Sequence, residues 1–368
     1  MTLRHPFATL AFSQITKSIL FKHKARFFMS YCDAVRCGRR PLGTRMTDQQ
    51  THRRVFCVLS ARALPYARHA LSTLFTHSSE SLCVTLITDA ELDKQHISSA
   101  ISLIETAGKH EWSVHSQAEA DDRASTLFAR HPNLQNFRGG HPCWRKLTDP
   151  ILFSEAGAEM IILDPDLYFP NYFSFERTPD EGLLLMRQPP SCLLPHEVVM
   201  SAYDASIKLA HHVDIGVAQM RSNVDLDWLD WLIAKLGGRT MPRAMHVEAI
   251  VWAALAMRVG GGYLDPERWH CWRYRQWKRL ALRLGVRGIN LLKLEKLEPV
   301  KCFHASGVAK WWIEEACRQK LFHAPKSVIA PSLPLPFEEF TFAAYQADQR
   351  LKHLVRKLGY YNIMATGA

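Results

Sequence analysis

Ala158-Glu159-Met160-Ile161-Ile162-Leu163-Asp164-Pro165-Asp166 decides how this chain is read. A short apolar run of this kind suits a strand buried on both faces. Two carboxylates at its end are costly unless something pairs with them. Side chains alternate along an extended chain, so Asp164 and Asp166 are expected to point the same way. Two hard oxygen ligands at the carboxyl end of a strand suit Mg²⁺ or Mn²⁺ carrying a phosphorylated ligand.

The sequence upstream repeats the strand type with helices between. Val55-Phe56-Cys57-Val58-Leu59 and Leu82-Cys83-Val84-Thr85-Leu86-Ile87-Thr88 are buried-strand runs, and Trp112-Ser113-Val114 reads as a third. Ala67, Ala70, Leu71, Leu74 and Phe75 recur at helical spacing between the first two, and Leu92 to Ala107 fills the next interval. This β-α-β-α-β order predicts a parallel sheet with nucleotide-binding potential. No G-x-G-x-x-G follows the first strand, which disfavours a dinucleotide fold. Trp144 to Ala156 is expected to be the helix that feeds the D-x-D strand. Leu183 to Met186 and Val213 to Met220 read as later strands, and Trp228 to Leu236 and Val247 to Val259 as helices. Arg268 to Arg287, with Trp269, Trp272, Tyr274 and Trp277 among its basic residues, is read as a partly packed helix with a solvated basic face. It is also a possible membrane-surface or anionic contact. Leu333 to Phe337 reads as a proline-rich linker into a last helix, Phe340 to Leu358.

The chain has 368 residues, 47% hydrophobic and 22% charged, with no apolar run of membrane-spanning length. The apolar stretch from Phe7 to Phe21 is broken by Ser13, Gln14, Thr16 and Lys17 and does not read as a signal peptide. Charge is unevenly placed. Residues 1–54 carry eleven Lys and Arg against Asp33 and Asp48, a charge of +9 that leaves +2 for the rest of the +11 chain. The expected organisation is a basic, poorly ordered extension over 1–53, with Met29 or Met46 as alternative starts, a catalytic domain over 54–330, and a linker and helix over 331–368. Nine cysteines, an odd number without any C-x-x-C pair, point to free, mostly buried thiols in a reducing compartment and away from zinc. A cytoplasmic location, with peripheral membrane contact through the basic segments, is the corresponding expectation.

Three further stretches join the D-x-D. Lys146-Leu147-Thr148-Asp149-Pro150-Ile151-Leu152 stands before it. His212-Val213-Asp214-Ile215-Gly216-Val217 and Phe303-His304-Ala305-Ser306-Gly307-Val308-Ala309-Lys310-Trp311-Trp312 follow it. In this order the chain from about residue 54 to 315 resembles the GT-A glycosyltransferases, most closely glycosyltransferase family 8. The resemblance implies a Rossmann-like mixed α/β sheet flanked by helices with a helical C-terminal region. It also implies Asp164, Asp166 and His304 as ligands of Mn²⁺ (or Mg²⁺), which holds the diphosphate of a nucleoside diphosphate sugar, UDP-linked by family habit. Gly307 and Lys310 would meet phosphate, and Lys146, in place of the family's Arg, would contact the donor. The family pattern has Pro where Trp311 stands, which puts the loop geometry in question. Asp214 replaces the Asn of an N-x-G motif near the transferred sugar, and Glu248 falls where the family places a polar residue beside that sugar. Ser60, Ala61 and Asp89, at the ends of the first two strands, would meet base and ribose. The acceptor implied is a glycan or lipid-linked hydroxyl, with retention of configuration and no nucleic-acid partner.

Other readings stay open at this level. Haloacid-dehalogenase phosphatases also place D-x-D after an apolar strand, with the first Asp as nucleophile, but there the motif opens the domain and is followed by Thr or Val rather than Leu167. A transferase fold that binds without catalysing is compatible with Asp214 and Trp311. A nucleic-acid or membrane binder led by the basic arm is the third alternative.

Overall fold

The apolar run before Asp164 is a strand covered on both faces. The computed structural model describes residues 52–357 except 106, 274 and 322–327. In it Met160 and Ile162 belong to one apolar cluster and Ile161 and Leu163 to another. Burial on both sides explains why the run is continuous rather than alternating. The expected basic extension, with Met29, Met46, Cys32 and Cys37, lies outside the described residues up to residue 51, as do Tyr274 and Leu358; its last residue, Arg53, instead opens the first strand and pairs with Glu80 and Glu159.

The strands and helices follow in the order β1 (Arg53–Val58), α1 (Leu64–His77), β2 (Leu82–Ile87), α2 (Glu91–Ile104), β3 (Glu111–His115), α3 (Gln117–Leu127), α4 (Pro132–Arg138), α5 (Arg145–Leu152), β4 (Glu159–Leu163) and β5 (Leu167–Tyr168). Then come β6 (Leu183–Arg187), α6 (His196–Asp204), β7 (Val213–Arg221), α7 (Leu226–Lys235), α8 (Val247–Val259), β8 (Gly261–Tyr263), β9 (Trp269–Cys271), α9 (Gln276–Arg283), α10 (Gly288–Leu292), β10 (Cys302–His304), α11 (Ile313–Arg318), β11 (Leu335–Pro336) and α12 (Phe342–Lys357). Among the described residues no helix is long and apolar enough to cross a membrane.

The main sheet is mixed, with the order β11-β8-β6-β7-β4-β1-β2-β3. Strands β4, β1, β2 and β3 run parallel, so the ends of β1, β2 and β4 share one edge. Strand β7 is antiparallel to both β4 and β6 and brings its first residues to that same edge. A crevice outside the carboxyl ends of parallel strands is where open α/β sheets hold ligands. A second sheet, β5-β10-β9, sits beside this edge and carries its own core of Tyr168, Trp272, Phe303 and Ile313.

The fold is the expected mixed α/β sheet flanked by helices, with a helical C-terminal region. Several local expectations change. The linker read at Leu333 to Phe337 contains β11, which pairs with Gly262 and Tyr263 at the sheet edge. Prolines suit that position because an edge strand tolerates a missing donor. The segment from Arg268 is not one helix. Trp269 and Trp272 are buried around β9, and only 276–283 is helical. The helix expected over Trp144 to Ala156 stops at Leu152. Helix α3 went unread because it has few apolar residues; a Ser116–Glu119 capping box starts it instead.

Candidate active site

Asp164 is the first residue past β4. Its N–H donates to the Gly216 carbonyl at 2.9 Å, so the β4–β7 pairing runs one step beyond the strand. Pro165 and Asp166 then form a turn, and β5 begins at Leu167. The two acids are therefore brought together by a turn between two strands, not by the alternation of one extended strand. That turn is pinned from the far end of the chain. Strand β5 pairs with β10 so that Leu167 lies opposite His304, and the Ala305 N–H donates to the Asp166 carbonyl at 3.0 Å. The imidazole Nε2 of His304 thereby stands 3.3 Å from Asp166 Oδ1 and 3.8 Å from Asp164 Oδ2.

The other ring nitrogen of His304 is also held. Nδ1 lies 2.8 Å from Asp214 Oδ1, and the same oxygen accepts the Gly216 N–H at 2.9 Å. Gly216 is required by close approach. A Cβ there would lie 2.5 Å from His304 Nδ1. Lys146, on α5, places Nζ 2.6 Å from Asp164 Oδ1 and 3.4 Å from Glu248 Oε2. Glu248 lies in the first turn of α8 and has no solvent exposure. On the open side, Lys310 Nζ is 3.3 Å from Asp166 Oδ2 and 5.0 Å from the Tyr66 ring centre, while Trp311 meets Tyr66 edge-on. Gly307 begins the turn that carries Lys310 and adopts φ +64°, a left-handed conformation that favours glycine.

The electrostatics follow from this packing. Burial raises the Asp166 carboxyl, but His304 and Lys310 outweigh it and bring its pKa to about 2. Burial dominates at Asp164 and pushes its carboxyl up despite Lys146. His304 is drained by burial, yet Asp214 and Asp166 more than compensate and hold the imidazole well above its ordinary range. Asp214 is lowered, with His304 and the Gly216 N–H overcoming burial. Burial pushes Glu248 up to about 8 against the pull of Lys146. Two ligand groups that share His304 meet here. Asp164, Asp166 and His304 form one, and Asp214, Cys271 and His304 the other, each with ligand atoms within 4.8 Å of one another. Burial pushes the Cys271 thiol up to about 12. Two carboxylate oxygens make the first group the harder one and the better match to Mg²⁺ or Mn²⁺, whereas a thiol suits softer metals. The seven described cysteines are all free, and Cys57, Cys271 and Cys302 are the buried ones.

The sequence-derived residues thus fall in two places. Asp164, Asp166, Asp214, Glu248, Lys146, His304 and Lys310 form one connected cluster. Asp214 and Glu248, expected beside a transferred sugar, sit behind His304 and Lys146 respectively. Ser60, Ala61 and Asp89 stand at the neighbouring strand ends, joined by no hydrogen bond to the cluster among the described residues. The Ala61 N–H donates to Asp93 Oδ2 at 2.9 Å, and Asp89 Oδ1 accepts from Arg145 Nη1 at 2.9 Å. Arg145 was missed. It is buried, bonds Asp149 at 2.8 Å and the Thr88 carbonyl at 3.2 Å, and so ties the β2 end to α5. Its Arg-x-x-x-Asp spacing beside Lys146 was the available signal.

No family model and no curated protein sequence matches this chain. Solved structures are similar to it at low identity. Mouse xyloside xylosyltransferase 1 in its apo form is 13% identical, with 70% of this chain and 98% of that chain covered and a TM-score of 0.45. The apo form of the glycosyltransferase GlyE of Streptococcus pneumoniae is 12% identical, with 75% and 66% covered and a TM-score of 0.43. The galactosyltransferase LgtC, in complex with donor and acceptor sugar analogs, is 12% identical, with 70% and 89% covered and a TM-score of 0.40.

Proposed function

We propose that this protein is a metal-dependent glycosyltransferase that moves a sugar from a nucleoside diphosphate sugar, first among them a UDP-sugar, to an acceptor hydroxyl with retention. The observation that carries this reading is the convergence of Asp164, Asp166 and His304 at the carboxyl end of β4, with a lysine on each acid. The donor set fits a hard divalent cation. It offers two carboxylates and one imidazole nitrogen and contains no thiol.

Mn²⁺ or Mg²⁺ bound there would neutralise charge on a leaving nucleoside diphosphate. The chain's own groups have distinct tasks. Asp164 and Asp166 supply the oxygens, and Asp214 fixes the His304 ring so that Nε2 faces them. Lys310, the more accessible lysine, is placed on a glycine-led turn from which its ammonium can leave Asp166 for phosphate. Lys146 neutralises Asp164 from behind, and Glu248 acts through Lys146 rather than on the ligand.

One observation favours a second reading, a fold that binds a nucleotide sugar without catalysis. Lys146, His304 and Lys310 already pair with the acids, so the cluster is balanced without a metal. A panel of nucleotide sugars, assayed for donor hydrolysis with and without Mn²⁺, separates the two. Mn²⁺-dependent turnover lost in Asp166→Ala supports the transferase; turnover that survives both chelation and Asp166→Ala rules it out, and donor binding with no turnover leaves the binding protein.

A further inference from the structure

From Arg268 to Lys293 the chain carries eight Lys and Arg and no Asp or Glu. Helix α9 lies at the centre of this stretch and has two unlike faces. On the inner one, Lys278 is buried with its ammonium 3.7 Å from the Trp272 ring centre and paired with Glu295, while Ala281 and Leu282 pack on the small core that holds Phe303. On the outer one, Trp277, Leu280 and Leu284 recur at i, i+3 and i+7 and are 47%, 49% and 75% exposed. Val286, just beyond, is 38% exposed. Single exposed apolar residues are ordinary, but a stripe of large ones on a helix marks a contact surface.

We propose that this face docks on an anionic lipid bilayer. Two observations select that occupant. The stripe is bordered by the exposed Arg275, Arg283 and Arg287, of which Arg287 pairs with Glu315, and the segment itself holds no carboxylate to repel anionic headgroups. A tryptophan and two leucines directed outward match the acyl boundary, which a nucleic-acid backbone would not use. The small core behind α9 also contains Phe303 and Ala305, the two neighbours of His304. Docking would therefore bring the bilayer to the layer that carries the acid–imidazole cluster. That a lipid-linked acceptor would be served there rests on the transferase reading; the docking itself does not.

The test is co-sedimentation of the full chain, without nucleotide, with vesicles of mixed phosphatidylglycerol and phosphatidylcholine or of phosphatidylcholine alone. Binding is expected to the anionic vesicles only and to weaken with salt. Trp277→Ser with Leu284→Ser should lower it about tenfold or more while leaving retention on heparin unchanged. Arg275→Glu, which reverses a charge beside the stripe, should lower vesicle binding by a similar factor. Thermal midpoints check that both variants fold, and Leu284→Asn alone, at the most exposed of the three positions, repeats the apolar arm if the serine pair melts lower. Equal pelleting with neutral vesicles overturns the proposal. So does heparin binding without vesicle binding, which marks a polyanion or acidic-protein surface. Unchanged binding of both variants also overturns it and assigns the attraction to other basic residues such as those of 1–54.

Discussion

Asp214 fixes the orientation of His304: the carboxylate Oδ1 is 2.8 Å from the imidazole Nδ1, and the opposite nitrogen faces Asp166 at 3.3 Å. A ligating imidazole whose second nitrogen is bonded to a carboxylate has its ring plane and tautomer set. Asp214→Asn should therefore lower Mn²⁺ affinity about 10- to 100-fold, read by titration calorimetry, with little change in fold. Gly216→Ala should do the same by a different route, because its Cβ would meet Nδ1 at 2.5 Å and turn the ring away. Unaltered affinity in both would show that His304 is not a ligand.

Lys146 and a bound divalent ion would share the Asp164 carboxylate, the lysine on Oδ1 and His304 facing Oδ2. With its Nζ at 2.6 Å, the lysine satisfies a buried carboxylate in the metal-free protein. Lys146→Met should cost about 3–5 kcal/mol of stability under chelation, since it leaves that charge unpaired. Added Mn²⁺ should recover part of the loss by taking over the neutralisation. Denaturant melts of parent and variant, with chelator and with Mn²⁺, measure both terms. A loss that is identical in the two conditions would place the metal elsewhere.

A second buried ion pair ties the residue before β10 to the loop between β5 and β6. Lys301 Nζ lies 2.5 Å from Glu176 Oε2 and 2.8 Å from the Ser174 carbonyl, and Glu176 Oε1 accepts from Trp269 Nε1 and Ser332 Oγ, each at 2.9 Å. Breaking such a pair leaves an uncompensated charge, so Lys301→Met should cost about 3–5 kcal/mol by urea melt. Because Lys301 leads directly into β10, donor hydrolysis should fall with it. Joint replacement by Lys301→Met and Glu176→Gln should recover stability relative to the single change.

The parts of this architecture that could be read from sequence are those whose signal is local. Strands β1, β2 and β4 are apolar runs because both faces are covered, and α8 spans Val247–Val259 as its composition implied. What closes the site is not local. Strands β5, β9 and β10 are two or three residues long, below any periodicity, and exist only because distant segments pair. Asp164, Asp166 and His304 could be named from motif resemblance, whereas the Leu167–His304 register that joins them could not. Buried charge was equally illegible. Arg138, Arg145 and Asp149 form a buried network, yet charged side chains on short helices carry the same sequence signature when solvated. Glu248 and Lys146 share that ambiguity, so their placement behind the acids emerged only from packing.

Glu248 gives the metal-free protein a pH dependence of definite sign. Burial raises its carboxyl to about 8 from the ordinary 4.5, and Lys146 offsets this only in part because it is closer to Asp164. Between about 4.5 and 8 the folded chain keeps a proton that the unfolded chain has released. Stability linked to this group is therefore present below the unfolded value and is lost as pH rises through the folded one. Glu248→Gln preserves the neutral shape and removes the titration. Parent and variant should be close in stability near pH 4.5 and diverge toward pH 8, the variant ahead by up to about 5 kcal/mol. Urea denaturation across this range in the presence of chelator reads the difference. Curves that stay parallel would mean that Glu248 is ionised throughout and serves as a counter-ion of Lys146. In that case Lys146→Met would cost more than one unpaired carboxylate, and the Lys146→Met, Glu248→Gln double variant would regain the excess.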